Sequence, residues 1–222
     1  SQEYVSRLQT ALQQQGTVLR LGEPVKGVRR RDHGTDVRVH GAEWEAFDAV
    51  IFATHSDDTL ALLVDPTADE SAILGAVSYQ PNDIILHADV SVMPKRRACW
   101  SSWIYSEDMT RKSDRIDLTY WMNSLQPIPH DDPHYVTLNS AREIRPDLIY
   151  DQVTLRHPVF DLAALKAQKA ATVLNGQNAT WFCGAWMKNG FHEDGLSSAV
   201  DVVEALNATV SPRKINPTVA VA

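Results

Sequence analysis

The run Gly190-Phe-His-Glu-Asp-Gly195 sets His192, Glu193 and Asp194 side by side, just ahead of apolar residues that recur at helical spacing. Those residue types could ligate a metal, move a proton, or shape the mouth of a helix around a ligand. Metal ligation fits poorly, because adjacent side chains rarely converge on one ion and the helical HExxH spacing is absent. A helix N-terminus exposes unpaired N–H groups and partial positive charge, which favour an anionic or oxygen-rich ligand. Asp194 can cap such a helix while Gly195 leaves its first turn bare. A plainer reading stays open beside it: Asp194 only caps, Glu193 is solvated, and His192 packs on Trp186 or Phe191. The second cluster, His130-Asp-Asp-Pro-His134, offers more ligands, but a Pro-flanked acidic turn reads as a solvated loop. The sequence carries no GxSxG elbow, no GxGxxG and no P-loop pattern.

The elements around these residues predict an α/β part. Val5, Leu8 and Leu12 mark a helix that stops at Gly16, and "TVLRL" is a short strand broken by Gly22-Glu-Pro24. "VKGVRRR" and "VRVHG" read as paired strands joined through "DHGTD", the arginines of Val28–Asp32 forming a solvated strand. Phe47–Thr54 is a nearly continuous apolar run, expected to be a strand covered on both faces. "THSDDTLALLV" follows as a helix reaching Leu63, with Thr54, Ser56 or Asp57 available as caps. Strand, polar turn and helix in that order place a ligand at the strand's end.

From about Tyr79 to Leu138 the pattern changes to antiparallel strands with polar turns, rich in Trp100, Trp103, Tyr105, Tyr120 and Trp121. Alternation along "TYWMN" puts Tyr120 and Met122 on one face, Trp121 and Asn123 on the other. Helical spacing returns over Asp161–Leu174 with an aspartate cap, then "ATWFCGAW" as a last strand. The final helix is expected to bury Leu196, Ala199, Val200, Val203 and Leu206, with Asn207 as its left-handed stop. One α/β domain is thus interrupted by another: residues 1–75 and 161–206 around 76–160, with 207–222 as a flexible tail.

A net charge of -7 argues against a nucleic-acid or anionic-membrane partner, which would want a basic face. Cys99 and Cys183 form no motif, so a reducing cytoplasm is the simpler context. No apolar run approaches the roughly 18 residues of a spanning helix.

Taken together, "FDAVIFATHSDDTLALL", "LHADVSVMPKRRACWSSWIY", "TYWMNSLQ", "YVTLNS" and "FCGAWMKNGFHEDGLSSAVDVVEAL" resemble the predicted NAD/FAD-binding oxidoreductases related to flavin-containing amine oxidases and phytoene desaturases. The resemblance runs from about Tyr4 to Leu206. It implies a partial FAD-binding Rossmann-like domain (α/β) interrupted by an antiparallel-sheet substrate domain (α+β). Family members begin with a strand–GxGxxG–helix unit; without it, this chain is expected to be the C-terminal portion of a longer protein.

The resemblance places Pro24 and Val25 near the adenine, and Ala53, Thr54 and His55 at the strand end beside the dinucleotide. Gly184, Ala185 and the loop Gly190, Phe191, His192, Glu193, Asp194, Gly195 and Leu196 correspond to the closing FAD motif at the flavin, His192 being a candidate for proton transfer. Trp103, Tyr105, Tyr120, Trp121, Met122 and Asn123 are the expected substrate-lining residues. The activity implied is FAD-dependent oxidation of an apolar or amphipathic substrate, with a lipid-like one preferred. Two rival readings are a non-catalytic binding scaffold and a metal-dependent hydrolase built on His130 and His134. Loss of the first βαβ unit is expected to expose sheet surface and promote self-association.

Overall fold

The computed structural model describes residues 2–107, 115–209 and 220–221. In chain order the elements are α1 (Gln2–Gln14), β1 (Val18–Leu19), β2 (Val25–Arg30), β3 (Thr35–Val39), β4 (Glu45–Phe47), β5 (Val50–Phe52), α2 (Ser56–Leu62) and α3 (Ala68–Leu74). Then come β6 (Ser78–His87), β7 (Trp103–Ser106), β8 (Asp117–Trp121), α4 (Met122–Leu125), β9 (Tyr135–Leu138) and β10 (Ile149–Val159). The chain closes with α5 (Leu162–Leu174), β11 (Thr180–Phe182), α6 (His192–Thr209) and β12 (Ala220–Val221). It divides into two compact units, one from residues 1–78 with 159–222 and one from residues 79–158.

In the first unit β2, β3 and β4 form an antiparallel meander. Its hairpin turn needs Gly34, whose φ is 93° and where a Cβ would lie 2.3 Å from the Phe47 carbonyl oxygen. β5 pairs with β11 in parallel, Ile51 opposite Trp181 and Phe52 opposite Phe182, and the two phenyl rings stack with centroids 5.8 Å apart. Asp161 caps α5 by accepting from the Ala164 N–H at 2.8 Å. The helix then buries Ala164, Ala167, Ala171 and Leu174 at 3-4-3 spacing, and packs on α3 and β11. Small residues on that face let the helix lie close to its neighbours.

Several sequence expectations need correction in this unit. Phe47–Thr54 is not one buried strand: Phe47 ends β4, the chain turns, and β5 joins a different sheet with Ile51 39% exposed. Arg30 is not solvated. Its side chain is 8% exposed and is gripped by Asp65 and Glu70, where β2 runs beside α2. Burial disfavours the Asp65 carboxylate, yet hydrogen bonds from Arg30 hold its pKa below the usual range. None of Thr54, Ser56 and Asp57 is the N-cap of α2; His55 occupies that position without a side-chain capping bond, and Thr54 Oγ1 pairs with Thr59 Oγ1 at 2.7 Å.

The stripe on α6 is rotated from the expected one. Ser198 and Val202 are buried, with Ala199 and Leu206 packed beside Trp181 and Cys183, while Leu196, Val200 and Val203 are exposed. Asn207 continues the helix to Thr209 instead of stopping it. Most of the stretch expected to be a tail, residues 210–219 and 222, lies outside the described residues.

The second unit is a five-stranded sheet in the order β10-β6-β9-β8-β7. Its core lies on one face, where Val92, Met93, Tyr135 and Ile144 are buried with Ile85, Trp100, Ile104, Trp121 and Ile149 around them. Burying each such large apolar side chain contributes about 1.5–3 kcal/mol. β10 went unforeseen because it is an edge strand whose residues are mostly exposed, leaving no alternation to read. The run "TYWMN" does not stay extended either. β8 ends at Trp121, and Met122 opens the helical turn α4, so the expected alternation fails at Met122 and Asn123.

Candidate functional site

The glycine loop of the first unit is held from several sides. Gly184, at φ 141°, donates its N–H to Ser198 Oγ at 2.8 Å, and Ser198 Oγ donates in turn to the Gly195 carbonyl at 2.7 Å. Gln168 of α5 donates through Nε2 to the carbonyls of both Trp186 and Lys188. Lys188 Nζ reaches Ser197 Oγ and lies 2.9 Å from an Asp201 carboxylate oxygen. Gly190 N–H closes the loop onto the Ala185 carbonyl at 3.1 Å. The segment 184–190 is therefore fixed against both α5 and α6.

α6 begins at His192, so His192, Glu193 and Asp194 form its first turn and not a loop ahead of it. Asp194 is not the N-cap residue; from the third helical position its carboxylate accepts the Phe191 N–H at 2.9 Å. The first-turn N–H groups lie outside the helix's own ladder and carry the positive end of its dipole. At Gly195 an added Cβ would meet only Ala185, at an ordinary contact distance of 3.8–3.9 Å. His192 and Glu193 are exposed, so neither packs as a core residue. The Trp186 indole N–H is buried without an acceptor among the described residues. Burial also pushes the Cys183 thiol pKa up, which keeps it protonated and inert; Cys99 and Cys183 are both free.

Of the other expected cofactor residues, Ala53, Thr54 and His55 follow β5 directly, and the Thr54 carbonyl lies beside Gly184. The structure thus brings the β5 end and the glycine loop together. Pro24 and Val25 open the meander, where the Pro24 carbonyl accepts the His40 N–H at 2.9 Å. His55, Asp57 and Asp58 form the one grouping of three metal-type ligands among the described residues, with their ligand atoms within 4.8 Å of each other. It sits at a helix N-terminus, whose dipole opposes a cation. His130 packs on the Trp121 ring and His134 stacks on Tyr150.

The second unit has a two-faced sheet. On the core face His87 is buried, its Nδ1 accepting the Asp89 N–H at 3.1 Å and its Nε2 paired with Thr137 Oγ1 at 2.8 Å, which meets Thr119 Oγ1 at 2.9 Å. The opposite face carries two cross-strand rows in register. One is Trp103, Tyr120, Val136 and Leu86; the other is Tyr105, Leu118, Leu138 and Ile84. All eight are apolar or aromatic. None is buried, and Trp103 and Tyr105 are 51% and 62% exposed.

The six expected substrate-lining residues therefore separate. Trp103, Tyr105 and Tyr120 share the open face. Trp121 belongs to the core, meeting Trp100 edge-on at 5.2 Å with the Arg97 guanidinium 4.6 Å above its ring. Asn123 is buried and clamps a loop: Nδ2 donates to the Pro129 and Asp132 carbonyls, and Oδ1 accepts the His134 N–H. Sequence reading missed that Ile84, Leu86, Leu118, Val136 and Leu138 join the aromatics, because only strand register brings them together. Gln168 and Ser198 were missed too, since no motif marks them.

The chain is similar to solved structures of the same fold. A CLA-producing fatty acid isomerase from P. acnes matches at 13% identity and TM-score 0.57, over 82% of this chain and 47% of that one. Reduced UDP-galactopyranose mutase matches at 11% identity and TM-score 0.57, over 86% and 48%. Putrescine oxidase bound to putrescine matches at 13% identity and TM-score 0.53, over 84% and 48%. The fold is that of part of each of these chains. The chain spans about half the length of these structures. No family model matches the sequence, and no curated protein matches it. Among the described residues, no helix is long and apolar enough to cross a membrane.

Proposed function

We propose that this chain forms part of an FAD-dependent oxidoreductase that removes hydride from a C–H bond of an apolar or amphipathic substrate. The carrying observation is the glycine loop, fixed by Gln168, Ser198 and Lys188 beside an uncrowded helix N-terminus, in a chain with this fold. These residues fit a flavin: Gly195 leaves room for close approach, and the first-turn N–H groups of α6 favour a group that gains negative charge. Bound FAD would supply the hydride acceptor. Gly184, Ala185 and Gly190–Leu196 would border its ring and ribityl chain, Ala53, Thr54 and His55 the dinucleotide, and Pro24 and Val25 the adenine. His192 and Glu193, exposed at the mouth, would tune the local charge, with proton transfer by His192 a secondary role. The 222 residues contain no GxGxxG turn, so the chain alone is expected to bind FAD weakly at most.

The open sheet face would meet the substrate. Its eight apolar and aromatic side chains, without a formal charge, support an apolar or lipid-like substrate. The presence of a fatty acid isomerase among the similar structures is compatible with that preference. The test is the visible absorption spectrum of protein from the complete reading frame, beside this chain titrated with FAD. A yellow longer protein and a colourless chain support the reading. If neither takes up FAD, the cofactor assignment fails and a non-catalytic binding scaffold replaces it.

A further inference from the structure

His87, the last residue of β6, is fully buried, and its neighbours set its tautomer. Nδ1 lies 3.1 Å from the Asp89 backbone nitrogen, a group that can only donate, so Nδ1 is the acceptor and bears no hydrogen. Nε2 then carries the ring hydrogen and donates to Thr137 Oγ1 at 2.8 Å, the hydroxyl that meets Thr119 Oγ1. The residue bound to Nδ1 is also a junction. Asp89 Oδ1 accepts the Ser91 N–H at 2.9 Å and so caps the turn Val90–Val92, while Oδ2 accepts the Arg145 N–H at 3.0 Å. Beside it the Ala88 N–H donates to the Leu148 carbonyl at 2.9 Å. The two arms joined in this way carry Val92, Met93 and Ile144, which cluster with Tyr135 in the core of the unit.

We infer that His87 is an acid-sensitive latch: a proton added at Nδ1 faces the Asp89 N–H donor to donor and opens the corner formed by residues 88–92 and 145. A cationic imidazole has two donors and no acceptor, so its bond from the Asp89 N–H is lost. The charge that attracts the cation is the Asp89 carboxylate, and a turn toward the ring takes that carboxylate away from the Ser91 and Arg145 N–H groups. Either response breaks the corner. Burial works against the Asp89 carboxylate, yet hydrogen bonds from the Arg145 and Ser91 N–H groups hold its pKa below the usual range, so it stays charged while His87 titrates. From β9 the Tyr135 ring faces the imidazole at 5.6 Å between centroids; burial raises its phenol pKa, so it adds no charge. Arg97 is stacked on Trp100 and acts on Tyr135, and the Arg145 guanidinium is paired with Asp147 at the surface. β8 contributes only the neutral Thr119.

Burial keeps the ring neutral while the corner is closed, and opening restores its ordinary pKa of 6.5. Opening is therefore favoured as pH falls below that value, by up to about tenfold per pH unit until the closed form itself takes the proton. Every group in the latch lies within the second unit, so it stands apart from the flavin reading.

The test is amide hydrogen exchange of the 222-residue chain by NMR at about pH 7.5 and about pH 5.5, with long-range proton–nitrogen correlation of the imidazole. The expected tautomer at the higher pH is Nε2–H. The Asp89, Ser91 and Arg145 amides should be less protected than the β8–β9 ladder at both pH values, and their protection, with intrinsic rates divided out, should fall by about tenfold between them. His87→Gln, which takes up no proton, should remove that pH dependence from the three amides. Should the variant fail to fold, the tautomer and the wild-type amides still decide. An Nδ1–H tautomer, corner protection that does not change with pH, or a pH dependence that survives in His87→Gln would each overturn the latch. Corner protection equal to that of the β8–β9 ladder at both pH values would reduce the acid response to unfolding of the whole unit, and would overturn it as well.

Discussion

Replacing Asn123 by alanine separates two roles for that residue, a lining of a substrate surface and a clamp on a loop. The side chain is 6% exposed and makes three hydrogen bonds, at 2.6 Å to the Pro129 carbonyl, 2.7 Å to the Asp132 carbonyl and 2.8 Å from the His134 N–H. Each contributes about 0.5–1.5 kcal/mol net, and a buried group left unpaired costs more. Pro129 and Asp132 are exposed, so their carbonyls can rehydrate, whereas His134 is half-buried. The loss should therefore be about 2–4 kcal/mol, or roughly 4–16 °C in Tm for a chain of this size. Urea unfolding followed by near-UV circular dichroism, to which Trp100 and Trp121 of this unit contribute, measures it. Asn123→Asp gives an independent signature. At neutral pH its carboxylate cannot donate to either carbonyl, so it should be at least as unstable as alanine, and it should partly recover in acid once protonated. A loss below about 0.5 kcal/mol, with a changed affinity for apolar ligands, would refute the clamp and return Asn123 to the substrate surface.

Two further outcomes are expected. Burial holds the His87 imidazole below its ordinary pKa of 6.5, the nearby Asp89 charge offsetting only part of this. The unfolded chain thus takes up a proton on this residue near pH 6.5 while the folded chain does not, so the associated stability is present above that pH and is lost as pH falls toward the folded value. Urea midpoints at about pH 7.5 and about pH 5.5, on either side of the ordinary value, should show the fall, and His87→Phe should make it shallower. In the glycine loop, Gln168→Leu releases the Trp186 and Lys188 carbonyls and Ser198→Ala releases the Gly184 N–H; each should cost about 1–3 kcal/mol and speed hydrogen exchange across 184–190. An unchanged exchange rate in both variants would mean that the loop's conformation is set without them.

What the sequence made legible was local. The β2–β3 hairpin, the Asp161 cap and the helix opening at the glycine loop are each specified within a few residues, by turn chemistry or capping. What it hid depends on partners far along the chain. Arg30 is a surface arginine until Asp65 and Glu70, 35 and 40 positions away, fold against it. α6 carries enough apolar residues for two stripes, and only its packing on Trp181 and Cys183 selects Val202 over Val203. The aromatic strands show the same division most clearly. Alternation implies that half of "TYWMN" faces each way, but it cannot say where extension stops. That is decided when the Met122 N–H bonds to the His134 carbonyl and Asn123 takes hold of the 129–134 loop. Which face becomes the core is decided by Trp121 settling between Trp100 and Arg97. Once that side is filled, Trp103, Tyr105 and Tyr120 are left on the other by strand register alone. The open aromatic face is therefore a consequence of how the opposite face packs, and a one-residue slip of β8 would exchange the two.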